Sequence, residues 1–198
     1  GAIEGNGSGG VSFTSGSADY AEWLPRRDLM ATLEPGDVVG WKDGHISLDT
    51  GHADKLMVVS TMPLVLGNAP KEEEEFRYEK VAFMGQAECK VVGAVASGDY
   101  LIPSGARDGY AVAVPADEMT PWMLTQIIGR VVEPTPGIQR RKVNAAVGLH
   151  SPVPEALVAA LESSQEEARS SQAQVRKLNQ KVRNMEARLQ ALEAALME

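Results

Sequence analysis

Hydrophobic and polar positions fall into two regimes along the chain. Between residues 17 and 150, short apolar runs alternate with turn pairs built from Gly, Asp, Asn and Pro. Between residues 157 and 198, apolar positions recur in sevens, with neither Pro nor Gly among them. Pro152 and Pro154 make a stiff joint over residues 151–156.

The first regime predicts strands. Val38-Val39-Gly40-Trp41, the pair Asp43-Gly44 and His45-Ile46-Ser47-Leu48 read as a hairpin with a tight turn. Leu56-Met57-Val58-Val59-Ser60 reads as a buried strand, closed by a loop through Pro63 and Gly67-Asn68. The runs 81–86 and 90–95 read as two paired strands. Tyr100-Leu101-Ile102 leads through Pro103-Ser104-Gly105 to Asp108-Gly109 and the alternating run 110–114. That order of Gly-Asp, apolar run, turn and Asp-Gly repeats the first hairpin. Thr120 and Pro121 open a short helix over residues 121–128, as N-cap and first residue. The runs 129–133 and 142–149 are the last strands. Glu72, Glu73, Glu74 and Glu75 form a solvated loop or short helix. Residues 1–16, rich in Gly and Ser, are expected to be flexible, although Val11-Ser12-Phe13-Thr14 alternates and can add a strand to a neighbour. The fold class is therefore mainly β, a compact barrel or clip with one short helix, followed by a long helix.

The second regime is a coiled coil. One seam position holds Leu161, Ala168, Val175, Val182, Leu189 and Leu196; the other holds Leu157, Ser164, Ser171, Leu178, Met185 and Leu192. A 3.5-residue period keeps such a stripe against partner helices wound left-handed. Lys181 with Glu186 and Arg188 with Glu193 are g-to-e pairs of opposite sign, as parallel chains require. The segment from Arg188 to Glu193 resembles the Arg-h-x-x-h-Glu motif of parallel trimeric coiled coils. A single helix of about 60 Å, at 1.5 Å per residue, has no core of its own. The expected partner is therefore self, in a homotrimer.

Composition narrows the function. The net charge is −8 and no basic patch exists for nucleic acid; Arg140-Arg141-Lys142 reads as a solvated loop. The one cysteine, Cys89, rules out an intrachain disulfide and reads as a small buried hydrophobe. No signal peptide and no twenty-residue apolar span point to a membrane. The first residue is Gly1, so the chain reads as a piece of a longer protein. His45 and His52 lack a third or fourth ligand at metal spacing, so no metal or other cofactor is expected. The sequence holds no GxSxG, HExxH, P-loop or paired CxxC.

Candidate chemistry lies at Asp19-Tyr20-Ala21-Glu22-Trp23. Together with Ser17-Ala18 before it, the blocks Glu34-Pro35-Gly36-Asp37-Val38-Val39, Val58-Val59-Ser60-Thr61, Leu66-Gly67-Asn68, Val81-Ala82-Phe83-Met84-Gly85-Gln86 and Gly98-Asp99-Tyr100-Leu101-Ile102-Pro103-Ser104-Gly105 follow in order. This series resembles the peptidase G2 family, the intramolecular-chaperone autoproteolytic domain of phage neck-appendage and tail proteins and related bacterial proteins. The resemblance spans residues 17–149. It implies a domain that trimerises, helps an upstream fibre domain of the same chain to fold, and cuts near its own N-terminal boundary. It also implies a virion-associated, extracellular or cell-surface location. Carried over, the catalytic acids are Glu22 and Asp19, and the cleavage region is Ser15, Gly16 and Ser17. A carboxylate can take a proton from water and a second acid can protonate the leaving amide nitrogen, with Tyr20 and Trp23 giving a partly apolar setting. A structural role for the two acids, Asp19 capping a turn and Glu22 pairing with Arg26 or Arg27, is the competing reading. At the level of function, the alternative is a non-enzymatic trimeric capping or adhesin module. A third reading, a sugar-binding β-domain, rests on Trp41, Trp122 and Tyr110 as an aromatic platform.

Overall fold

The computed structural model describes residues 2–5, 11–14, 18–148 and 155–196, and the side chains of 19–148 and 157–190. The chain divides into a β-rich unit and a helical unit, with the boundary between Val153 and Pro154.

The β-rich unit begins with β1 (Ala2–Gly5) and β2 (Val11–Thr14), an antiparallel pair forming a sheet of their own. They fall in the segment read from its Gly and Ser as flexible. The main sheet contains β3 (Ala18–Pro25), β4 (Val38–Lys42), β5 (His45–Ser47), β6 (Lys55–Val59), β7 (Val65–Gly67), β8 (Tyr78–Val91), β9 (Tyr100–Pro103), β10 (Ala111–Val114), β11 (Gly129–Glu133) and β12 (Arg141–Val147). Neighbours run β10-β9-β11-β12-β8-β6-β4-β5, and β3 joins β8 to β7. A parallel contact of Ala111 with Val91 ties β10 back to β8. The circuit β8-β12-β11-β9-β10 is therefore tied back on itself as a small barrel, closed at one residue pair between β10 and β8.

Burial follows the predicted alternation. Val38, Val58, Ala82, Ala87, Cys89, Val91, Leu101, Ala111, Val131, Val143, Ala145 and Val147 form one core. Val39, Ile46, Met57, Val59 and Val81 form a second, with Leu24, Trp41 and Phe83 against it. The Asp43-Gly44 turn has both residues at positive φ, 49° and 78°, as a two-residue hairpin turn of the predicted kind demands.

Three expectations are corrected. The runs 81–86 and 90–95 are not partners: β8 is one continuous strand. Ala87, Cys89 and Val91 are buried between the more exposed Gln86, Glu88 and Lys90, so the alternation carries straight across the assumed break. The loop after Pro63 contains β7, which pairs in parallel with β3 through Tyr20↔Val65, Ala21↔Leu66 and Glu22↔Gly67. The basic run is anchored as well as partly solvated, with Arg140 61% exposed. Arg140 Nη2 lies 2.8 Å from Asp108 Oδ2, Arg141 donates to the carbonyls of Gly93, Thr135 and Gln139, and Lys142 meets Glu88 at 3.2 Å.

The short helix is a 3-10 helix, Trp122–Thr125, and Thr120 does not cap it. A second one, Glu72–Arg77, carries the four glutamates at the surface, as expected of a charge run. Of the three aromatics read as a platform, Trp41 packs on the second core, Tyr110 lies between Lys90 and Arg140, and Trp122 is exposed.

The helical unit is one α-helix, α1 (Glu155–Leu196), of 42 residues. At 1.5 Å per residue it is about 63 Å long. Within the described residues, no helix is long and apolar enough to cross a membrane.

Candidate functional site on strand β3

Strand β3 carries both candidate acids. It is held on one edge by β8, antiparallel from Ala18↔Gln86 to Pro25↔Tyr78, and on the other by β7. The β8 pairing slips between Tyr20↔Met84 and Ala21↔Ala82, so Phe83 is an extra residue. Such a bulge bends its strand and sharpens the local twist, at the point where β8 turns from β3 toward β12.

Strand period separates the two acids. Successive residues face opposite sides, so positions 19 and 22 fall on opposite faces. Asp19 shares the inner face with Ala21, and both are almost fully enclosed at 2% and 1% exposure. Glu22 is half-buried on the other face, the face of half-exposed Tyr20. Both acids thus sit on one strand, yet the fold does not aim them at one point within a chain.

Each acid has a distinct setting. The Asp19 carboxylate has one oxygen, Oδ2, enclosed and without a hydrogen-bond partner among the described residues, an arrangement uncommon enough among buried polar atoms to require an explanation. Its backbone carbonyl accepts from Leu64 N–H at 2.8 Å, fixing the 60–64 loop to the start of β3. Glu22 lies over Gly67 of β7: a Cβ on that glycine would stand 3.5 Å from Glu22 Cγ and 3.8 Å from Oε1. Asn68, at φ 56°, donates its side-chain amide to the Trp23 carbonyl, and Lys80 Nζ sits 5.0 Å from the Trp23 ring centre. Arg26 donates to the carbonyls of Leu29, Ala31 and Phe76, and Arg27 to the Lys42 carbonyl and the Asp43 carboxylate. The described ion pairs therefore do not include the Glu22–arginine pair of the structural reading.

The sheet also brings the two ends of the barrel unit together. Asp19, Gly85 and Val147 form one row across β3, β8 and β12, and Ala18, Gln86 and Ala146 form the next. Strands β3 and β12 both run antiparallel to β8. The start of β3 is therefore two strand spacings, about 10 Å, from the end of β12. Ser15, Gly16 and Ser17, the candidate cleavage region, lie outside the described residues, as does His150.

The seam residues of α1 form the other candidate surface. Leu161, Val175, Leu178, Val182, Met185 and Leu189 are exposed, from 41% for Leu161 to 60% for Leu189. The side chains of Leu192 and Leu196 lie outside the described residues. Large apolar side chains repeated this way along a helix are the pattern of an oligomer seam.

Sequence reading missed one buried cluster. Lys90 Nζ contacts Asp37 Oδ1 at 2.8 Å and Glu34 Oε2 at 2.5 Å, while Asp37 Oδ2 accepts from Glu34 N–H at 2.7 Å. Burial alone would lower the Lys90 pKa, but its hydrogen bonds to Asp37 and Glu34 outweigh that and raise it. The same hydrogen bond and the lysine charge lower that of Glu34. The signal was the Glu34-Pro35-Gly36-Asp37 turn, which supplies two acids but does not name their partner. Among the described residues, no group of three or more His, Cys, Asp or Glu is placed to hold a metal ion.

Comparison with known proteins adds little at the level of sequence. No protein-family model matches the chain, and no curated protein matches it. Two solved structures resemble it. The C-terminal fragment of bacteriophage phi29 gene product 12 is 12% identical with a TM-score of 0.46, over 65% of this chain and 99% of that one. The pre-mature form of the same phi29 gene product is 12% identical with a TM-score of 0.47, over 71% of this chain and 23% of that one. At this identity and overlap no residue role passes from them to this chain.

Proposed function

We propose that this chain is a homotrimeric assembly and folding module of a larger fibrous or surface protein, and that it cuts its own backbone at residues 15–17. The observation that carries the first half is the apolar heptad stripe, exposed along α1 and lacking any core within that helix. Three parallel copies would bury it, with Lys181–Glu186 and Arg188–Glu193 pairing between neighbours. The barrel needs pairings between distant parts of the sequence, such as β3 with β8 and β10 with β8, which slow folding. Tethering three heads raises their effective concentration during that slow search.

The cleavage half rests on the G2-like sequence blocks and on the enclosed, unpartnered oxygen of Asp19. Because the two acids face opposite ways, one carboxylate serves the chemical step. Glu22 takes a proton from water as hydroxide adds to the scissile carbonyl, then returns it to the amide nitrogen as the C–N bond breaks. Asp19 is a positioning residue, whose unpartnered oxygen is free to accept a backbone N–H as the step proceeds. Tethering within one assembly supplies the effective molarity.

The test is the mass of a full-length parent after expression. Two fragments meeting within residues 15–17, replaced by one uncut chain in Glu22→Gln, are expected. A single uncut species from the unaltered parent removes the cleavage half and leaves the alternative, a trimeric capping or adhesin module without proteolysis.

A further inference from the structure

A cleft remote in sequence from β3 has no part in that function. It opens between the loop after β5, the end of β9 with the turn that follows, and the 3-10 helix Trp122–Thr125. Its volume is about 430 Å³, within the range of small-molecule sites, roughly 300–1,000 Å³. Ile102, Pro103 and Met123 give it apolar lining, together with Trp122, which is 57% exposed. Its polar side chains are Asp49, Thr50, Arg107, Thr120 and Gln126.

The charges at this cleft cancel. Arg107 Nη2 lies 3.3 Å from Asp49 Oδ2, and among the described residues these are the charged ones that line it. Asp49 is oriented further by accepting Gly51 N–H at 3.1 Å. Arg107 is held at φ 55°, a left-handed conformation unusual for a residue with a side chain. The pair is exposed, at 70% and 48%, so it orients the two side chains rather than locking them, and their opposite charges give the cleft no net pull on a charged ligand. A purely apolar ligand would cover Asp49, Arg107 and Gln126 without offering them hydrogen bonds, which costs more than the burial returns. A ligand that suits the set is neutral, has one apolar face for the indole, and carries both donors and acceptors around its rim.

We propose that this cleft is a binding site for a neutral pyranose sugar, stacked by its C–H face on Trp122 and hydrogen-bonded through its hydroxyls to Asp49, Arg107 and Gln126. The aromatic platform expected from Trp41, Trp122 and Tyr110 is thereby reduced to one tryptophan with a polar rim.

The experiment uses the full chain and the methyl glycosides of glucose, galactose and N-acetylglucosamine, with saturation-transfer NMR and tryptophan fluorescence as readouts. Binding of at least one glycoside is expected, with Kd on the order of 1 mM. Trp122→Ala should weaken it about tenfold or more, and Arg107→Gln should weaken it while leaving the circular-dichroism spectrum unchanged. Absence of saturation transfer from all three glycosides would overturn the proposal, as would binding that Trp122→Ala leaves intact. Iodide quenching that cannot reach Trp122 in the assembled protein would also overturn it, because the cleft would then be a contact between copies.

Discussion

Lys90 Nζ and Asp37 Oδ1 meet at 2.8 Å with both side chains withdrawn from water, at 12% and 5% exposure. The pair ties the turn before β4 to the far end of β8, two segments more than fifty residues apart. Removing one member of a buried pair leaves the other charge uncompensated. Lys90→Ala should therefore lower unfolding stability by about 3–5 kcal/mol, read from the urea midpoint at constant slope. Glu34→Gln removes only the exposed partner and should leave that midpoint nearly unchanged.

The same cluster, with Asp108, sets the pH limits of the fold. For Asp108, burial works to raise the pKa, but hydrogen bonds from Ser104 and the Tyr110 N–H, with the Arg140 charge, win and lower it. Glu34 is lowered as well, but it is exposed and adds little to this balance. A carboxylate depressed in the folded state stabilises it above the unfolded pKa, and that stability is lost as pH falls through the folded value. Lys90 is raised, so its contribution is complete below the unfolded lysine value and is lost as pH rises through the folded one. Thermal midpoints should form a plateau across neutrality, falling below about pH 4 and again above about pH 10. A midpoint still rising as the pH drops below that acid limit would contradict the assignment.

Cys89 is a built-in reporter of opening. Burial, reinforced by the Asp37 charge, pushes its thiol up to about 12. Thiolate is the reactive form, so a thiol reagent at neutral pH should label the native protein only through unfolding. Labelling should accelerate with urea in step with the unfolded fraction. Rapid labelling of the native protein would mean that the barrel opens locally at β8.

Gly109 occupies a position that no other residue fits. Its φ is 76°, and a Cβ there would stand 2.3 Å from Asp37 Oδ1. Gly109→Ala must displace the carboxylate that Lys90 needs, in addition to the backbone strain. A loss of about 2–4 kcal/mol is expected, and it should not add to the loss from Lys90→Ala, because both act on one cluster. Simple additivity in the double variant would show that the two sites are independent.

Most elements were legible in the sequence because their signals are local. The Asp43-Gly44 turn, the alternation of Tyr100 to Val114, and the heptads of α1 all lie within a few residues of one another. What escaped depends on distant partners. A bulge at Phe83, the parallel β7 and the tie from Ala111 to Val91 have no signature in a short window. The unbroken β8 was hidden because the polar Gln86, Glu88 and Lys90 interrupt the apolar run, although Ala87, Cys89 and Val91 between them are buried. On β3, the acids were legible as residue types. Their placement on opposite faces follows from strand period and needed only the correct element to be read.

Asp19→Asn separates a functional role from a structural one. The change keeps the shape and removes the charge beside the unpartnered oxygen. Stability should hold or rise by about 1 kcal/mol, while cleavage of the parent falls with Glu22 still present. A large loss of stability would assign Asp19 to the fold instead.

Sedimentation equilibrium of the intact chain at micromolar concentration tests the central claim most directly. A single species of three times the 21.2 kDa chain mass is expected, dissociating to one chain when Leu189 and Leu192 are both replaced by Asp. A species at the mass of one chain in the unaltered protein would contradict the account.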